Sequence, residues 1–110
     1  VPSYVTVQVG ERRFYTHRDT LTTESPFFSA LLSERWNSAE PDGSYFVDAD
    51  PGLFEHILRY LRRSVYPIFY STSNGHDHAL YHALYKEAEY FQIDHLAEYL
   101  SSQIYRNAVK

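Results

Sequence analysis

The chain of 110 residues predicts a single-domain α+β fold, and three stretches predict it. Val5, Val7 and Val9 alternate with Thr6 and Gln8, the period of two that marks a strand with one buried face. Tyr45 to Arg63 (YFVDADPGLFEHILRYLRR) reads as a short β-prone run feeding directly into a leucine-rich helix. Beyond Asp77, apolar residues recur at helical spacing in two further segments. No internal repeat or low-complexity segment appears, so one core serves all of them, and a chain of this length can remove roughly two-thirds of its unfolded surface from water.

Taken in order, the first strand turns at Gly10-Glu11-Arg12 and Arg13 to His17 (RFYTH) returns as a second strand. A three-residue link containing Gly predicts an antiparallel hairpin. Ser25-Pro26 combines an N-cap with Pro at the first helical position and opens a short helix through Phe27, Phe28, Leu31 and Leu32 that fades after Ser33. Residues 37 to 44 (NSAEPDGS) are turn formers and predict an exposed loop. After the strand Tyr45-Phe46-Val47, Asp50 is the cap and Pro51 the first helical residue. On a helical wheel Leu53, Phe54, Ile57, Leu58 and Leu61 fall in one sector, with Glu55, Arg59, Arg62 and Arg63 opposite. The pattern breaks at Pro67, and 71 to 77 (STSNGHD) predicts a loop whose Asp77 caps the next helix. There Leu80, Leu84, Ala88 and Phe91 face inward while His78, His82 and Glu89 project outward. Ile93-Asp94 opens a last amphipathic helix with Leu96, Ala97, Leu100 and Ile104 inward.

Composition narrows the function. With 10 Lys and Arg against 14 Asp and Glu the chain carries −4, the wrong balance for nucleic acid as main partner. Cysteine is absent, which removes disulfides, thiolate zinc sites and thiol nucleophiles, and fits an intracellular setting, cytoplasmic or nuclear. No apolar run approaches the ~20 residues of a membrane span, so no membrane contact by this domain is expected. The chain starts without Met and stops soon after Ile104-Tyr105-Arg106, as expected of a domain, 1–110, cut from a longer protein. Eleven Tyr beside seven Phe and one Trp exceed what a small core hides, and Tyr is enriched where an apolar body meets a wet edge.

Candidate chemistry is thin. His78 and His82 lie one helical turn apart with His76 upstream, but the Glu of a zinc hydrolase motif is missing and no third ligand stands at a diagnostic spacing, so a solvated face is preferred. Asp48 and Asp50 are two apart, yet Asp50 is needed as a cap. No Ser sits in G-x-S-x-G, and glycines 10, 43, 52 and 75 are too scattered to cradle phosphate. No catalytic, cofactor-binding or metal-binding residue is assigned. Arg59, Arg62 and Arg63 offer a face to an acidic partner, against which stands the preferred expectation that Glu55 pairs with Arg59 at i,i+4 on a solvated helix.

The order V-x-V-x-V-G, R-F-Y-T-H, S-P-F-F-x-x-L-L, Y-F-V-D-A-D-P, F-x-x-I-L-x-Y-L-R and E-A-E-Y-F-Q-I-x-x-L resembles the BTB/POZ fold over nearly the whole chain. More narrowly it is similar to the potassium-channel tetramerisation (T1) and KCTD-like branch. The resemblance implies a small, about three-stranded mixed sheet packed on a cluster of helices. It also implies self-association in a tetramer- or pentamer-type ring and adaptor recruitment rather than catalysis, with cullin-3 ubiquitin ligases among the partners. The alternatives are a monomeric adaptor docking a cullin-3-type ligase, or the tetramerisation domain of a channel. Departures are Glu11 where a second Gly is common, Asp48-Ala49-Asp50 where Asp-Arg-Asp is common, no Cys for an intersubunit zinc, and a long aromatic connection, YPIFYSTSNGHDH. The residues expected at an interface are the exposed aromatics and proline of that connection, Tyr66, Pro67, Phe69 and Tyr70, with the polar rims at Arg12, Arg13 and Asp48.

Overall fold

Alternation in the first nine residues and the return strand behind it give a hairpin, β1 (Tyr4–Val9) against β2 (Arg12–His17). The computed structural model describes residues 3–33 and 39–108. Pairing runs Val5 with Thr16, Val7 with Phe14 and Val9 with Arg12, so the three valines, Phe14 and Thr16 share one buried face. The link is therefore two residues rather than the three expected. Gly10 takes its first position at φ +56°, and its N–H donates to the Val47 carbonyl at 3.1 Å. A Cβ there would stand 3.0 Å from the Ala49 carbonyl oxygen and 3.2 Å from Pro51 Cδ, so the turn requires glycine for space as well as for φ.

The strand β3 (Tyr45–Val47) joins the other edge of β1 in parallel, giving a mixed sheet in the order β2-β1-β3. The antiparallel β2 has already carried the chain back to the end of the sheet from which β3 runs, so the connection has only to step past β1. That connection contains α1 (Arg18–Thr22) and α2 (Pro26–Leu31). Sequence reasoning missed α1, which has five residues, no side-chain cap and one buried residue, Leu21, too little to register as periodicity. Ser25 caps α2 as expected by accepting from the Phe28 N–H at 3.1 Å, and its buried hydroxyl also donates to the Phe91 carbonyl at 2.6 Å. Of the loop expected over 37–44, residues 37 and 38 lie outside the described residues, 39–43 are exposed, and Ser44 is buried.

Asp50 accepts from the Gly52 and Leu53 N–H groups and starts α3 (Pro51–Arg63). Its Phe54, Ile57 and Leu58 are buried and its arginines exposed, as the wheel requires. Tyr60 is buried as well, its phenol donating to the Glu24 carboxylate at 2.7 Å. Asp77 caps α4 (His78–Tyr90), which ends in a Schellman motif. Gln92 takes φ +60° while its N–H reaches the Glu89 carbonyl and that of Ile93 reaches Ala88. That reversal aims α5 (Asp94–Ser102) back along α4. Two expectations are corrected here. Ile104 is 53 % exposed and Tyr105 buried, because Gln103 at φ +59° ends α5 and a 3-10 turn (Ile104–Asn107) changes the phase. The 71–77 loop carries an antiparallel ladder, β4 (Tyr70–Ser71) on β5 (Gly75–His76). No helix among the described residues is long and apolar enough to cross a membrane.

Gly10→Ala is expected to lower stability by about 1–2 kcal/mol, measured by chemical denaturation, since it forces a non-glycine residue to positive φ against backbone. A pH effect resides on α4. Burial, then the charge of Asp50, raises the Glu87 pKa, and its Oε1 is buried with no partner among the described residues. A carboxyl raised on folding contributes stability that is present below its ordinary pKa and lost as pH rises through the raised value. Glu87→Gln should therefore raise the melting temperature at about pH 7, with the gain fading toward about pH 4.

Candidate interaction surface

Following Arg63, Ser64 takes φ 57° and its N–H returns to the Tyr60 carbonyl, closing α3 and releasing the connection to α4. The connection is anchored at four points. The Tyr99 hydroxyl donates to the Pro67 carbonyl at 2.8 Å, and the Phe69 N–H donates to the Tyr81 hydroxyl at 2.8 Å. That same hydroxyl lies 2.9 Å from His76 Nδ1, and the Asp77 N–H donates to the Phe69 carbonyl at 2.9 Å. Burial pushes the Tyr99 phenol up to about 12 and raises that of Tyr81. Both stay protonated across the physiological range, able to hold the chain in place.

Exposure then alternates along the anchored segment. Tyr66, Ile68 and Tyr70 face water, as does Val65, while Pro67 is buried and Phe69 half-buried. The expectation of an exposed Pro67 and Phe69 is thus corrected: Phe69 packs edge-on against His56 at 4.9 Å and tilts onto Tyr81 at 5.0 Å. Its cover, ahead of the charge of Arg59, pushes the His56 pKa down. Sequence reasoning missed Val65 and Ile68. The signal was present, since in YPIFY side chains two apart share a side once the segment is extended.

A second exposed patch was also missed. Because the register puts Val5, Val7, Val9, Phe14 and Val47 on the core side, it puts Tyr4, Tyr15, His17 and Phe46 on the opposite face. Tyr4 stacks on Tyr15 at 5.3 Å and lies 4.2 Å from the His17 ring. Tyr15 is 65 % exposed and Phe46 50 %.

The expected polar rim is occupied from within the chain. Arg12 donates to Glu55 at 2.9 Å and its guanidinium sits 4.9 Å over the Phe14 ring. Glu55 is therefore taken by β2 and not by Arg59, and the i,i+4 pair expected on α3 is not formed. Arg13 donates to Asp42 at 2.6 Å. The Ser44 hydroxyl, then Arg13, holds the Asp42 carboxyl well below the usual range. Asp48 is exposed. Of the histidines, His76 faces Tyr81, the His78 ring lies 6.3 Å from His76, and no group of three or more His, Cys, Asp or Glu among the described residues is placed to hold a metal ion.

A family model described as BTB/POZ domain matches residues 5–100. Human BTB/POZ domain-containing protein KCTD9 is 30% identical over 106 residues, covering 92% of this chain and 25% of that protein. Human BTB/POZ domain-containing protein KCTD3 is 43% identical over 60 residues, 53% of this chain and 7% of that protein. SH3KBP1-binding protein 1 of Bos taurus is 45% identical over 58 residues, 51% of this chain and 8% of that protein. The chain thus spans a quarter or less of the length of these three relatives.

Removing the hydroxyl at Tyr99 tests the anchoring. Tyr99→Phe leaves the Pro67 carbonyl unsatisfied and should cost about 1–2 kcal/mol while speeding hydrogen exchange at the Phe69 and Asp77 amides. Exchange there at the native rate would mean that the connection is held by other contacts.

Proposed function

Because the chain belongs to the BTB/POZ domain family, whose domains mediate contacts between proteins, we propose that it self-associates and holds a longer parent protein, and through it a partner, in place. The supporting observation is the pair of exposed apolar patches, Tyr4, Tyr15 and Phe46 on the sheet and Val65, Tyr66, Ile68 and Tyr70 on the connection. Each is carried on hydrogen-bonded backbone, so ordering it on contact costs little entropy. Two unlike patches on one protomer are what a side-by-side ring uses, one face of each copy meeting a different face of the next. The tetramer or pentamer type of ring, and a role as the tetramerisation domain of a channel, are forms of this reading. A cytoplasmic or nuclear setting fits a chain without cysteine.

The second reading is a monomeric adaptor that docks a cullin-3-type ubiquitin ligase through the same surfaces. What favours it is that Arg12 and Arg13 are already paired within the chain, leaving fewer rim charges to join copies. Light scattering over a concentration series separates the two. Self-association predicts masses at multiples of 12.9 kDa, shifted toward the single chain by Tyr15→Ser with Phe46→Ser. A single-chain mass at every concentration would remove self-association, and titration with a cullin N-terminal region then tests the adaptor.

A further inference from the structure

Capture of Glu55 by Arg12 has a consequence on α3. Among the described residues none of Arg59, Arg62 and Arg63 forms an ion pair. Arg62 donates to the Tyr15 carbonyl at 3.2 Å and so leans toward β2, while Arg63 donates to the Arg62 carbonyl at 3.0 Å. With Arg12 they wall a groove of about 320 Å³. Its apolar lining is Phe14, Leu58 and the exposed Val65, and Glu55 is its one carboxylate. Four of the chain's 10 cationic residues thus gather at one groove of a protein whose net charge is −4.

We propose that this groove, between β2 and the C-terminal half of α3, docks an acidic segment of a partner protein. Carboxylates sit on Arg59 and Arg63, and one apolar side chain lies against Phe14, Leu58 and Val65. Charge complementarity selects the acidic class. The apolar floor asks for a side chain that a nucleic acid or a free phosphate does not supply. The volume lies at the small end of ligand pockets, suiting single side chains of an extended peptide better than the face of a second folded copy. The proposal rests on the reading of this domain as an interaction module and names the chemistry of one of its partners.

The test uses the 110-residue chain and a fluorescein-labelled peptide with four acidic residues on each side of one leucine, followed by anisotropy. Saturable binding is expected, weakened about tenfold or more by Arg59→Glu with Arg63→Glu. Replacing the peptide's leucine by serine should also weaken it about tenfold. Both arginines are exposed, and Arg59→Gln alone supplies a milder variant should the double reversal perturb folding. Absence of saturable binding, or equal binding of the leucine and serine peptides, overturns the proposal. A fall in oligomer mass caused by the arginine variants also overturns it, since the groove would then hold a second copy. Absence of peptide binding by the unaltered chain, while that chain still forms oligomers, sinks this inference and leaves self-association standing.

Discussion

Four phenylalanines from four parts of the chain meet at the centre of the molecule and tie β2, α2, α3 and the end of α4 to one another. Phe14 of β2 packs edge-on to Phe54 of α3 at 5.0 Å, and Phe54 packs on Phe91 at 5.5 Å. Phe91, at the end of α4, stacks on Phe28 of α2 at 5.2 Å with rings 8° from parallel. Each such pair adds about 0.5–1.5 kcal/mol beyond its buried area, and each requires both backbones to be within ring reach. Ser25 reinforces the junction, because its one hydroxyl caps α2 and holds the carbonyl of Phe91. A sheet covered on one face and helices meeting at one cluster leave the other sheet face bare by construction.

The same economy shapes the connection after α3. It has to travel from the left-handed Ser64 to the cap at Asp77 without a strand or helix of its own until Tyr70. Tyr99 and Tyr81, from the two helices beneath it, supply hydrogen bonds that a sheet would otherwise provide. Their rings in turn are packed, Tyr81 against Tyr105 at 3.6 Å and Tyr99 against Tyr66 at 4.6 Å. Tyr81 and Tyr99 are thus neither pure core nor pure interface. They are side chains with an apolar body in the interior and a hydroxyl that fixes exposed backbone, and this is why Tyr66, Ile68 and Tyr70 stand in water on a firm base.

What could be read beforehand divides along physical lines. Strand alternation, the caps at Ser25, Asp50 and Asp77, and the buried stripe of α3 are local properties, set by neighbours within a few residues, and they were legible. The parallel placement of β3 and the choice of Arg12 over Arg59 by Glu55 are decided by residues distant in sequence, and periodicity carries no record of them, whereas Tyr60, seven residues on from Leu53 and three from Ile57, lay on the buried stripe and was passed over. The candidate surface lies between these cases. Tyr66 and Tyr70 were named correctly as exposed, but Pro67 and Phe69 were drawn inward by Tyr99 and by His56 and Tyr81. The outer sheet face followed from the alternation of β1 and β2 and needed only the question of what lies on the side that the valines do not occupy.

One carboxylate decides the electrostatics of α3. On an isolated helix Glu55 would be shared with Arg59, a pair of a few tenths of a kcal/mol that would leave the helix surface locally balanced. In the folded chain Arg12, already held over Phe14, presents its guanidinium from the adjacent strand and needs less ordering than a free helical arginine. The better-organised donor takes the acid. Arg59 is thereby left without an ion-pair partner among the described residues, and the end of the helix carries a positive field that its C-terminal dipole favours through Arg62 and Arg63. A tertiary contact that stabilises the hairpin against α3 is therefore also what charges the groove beside it.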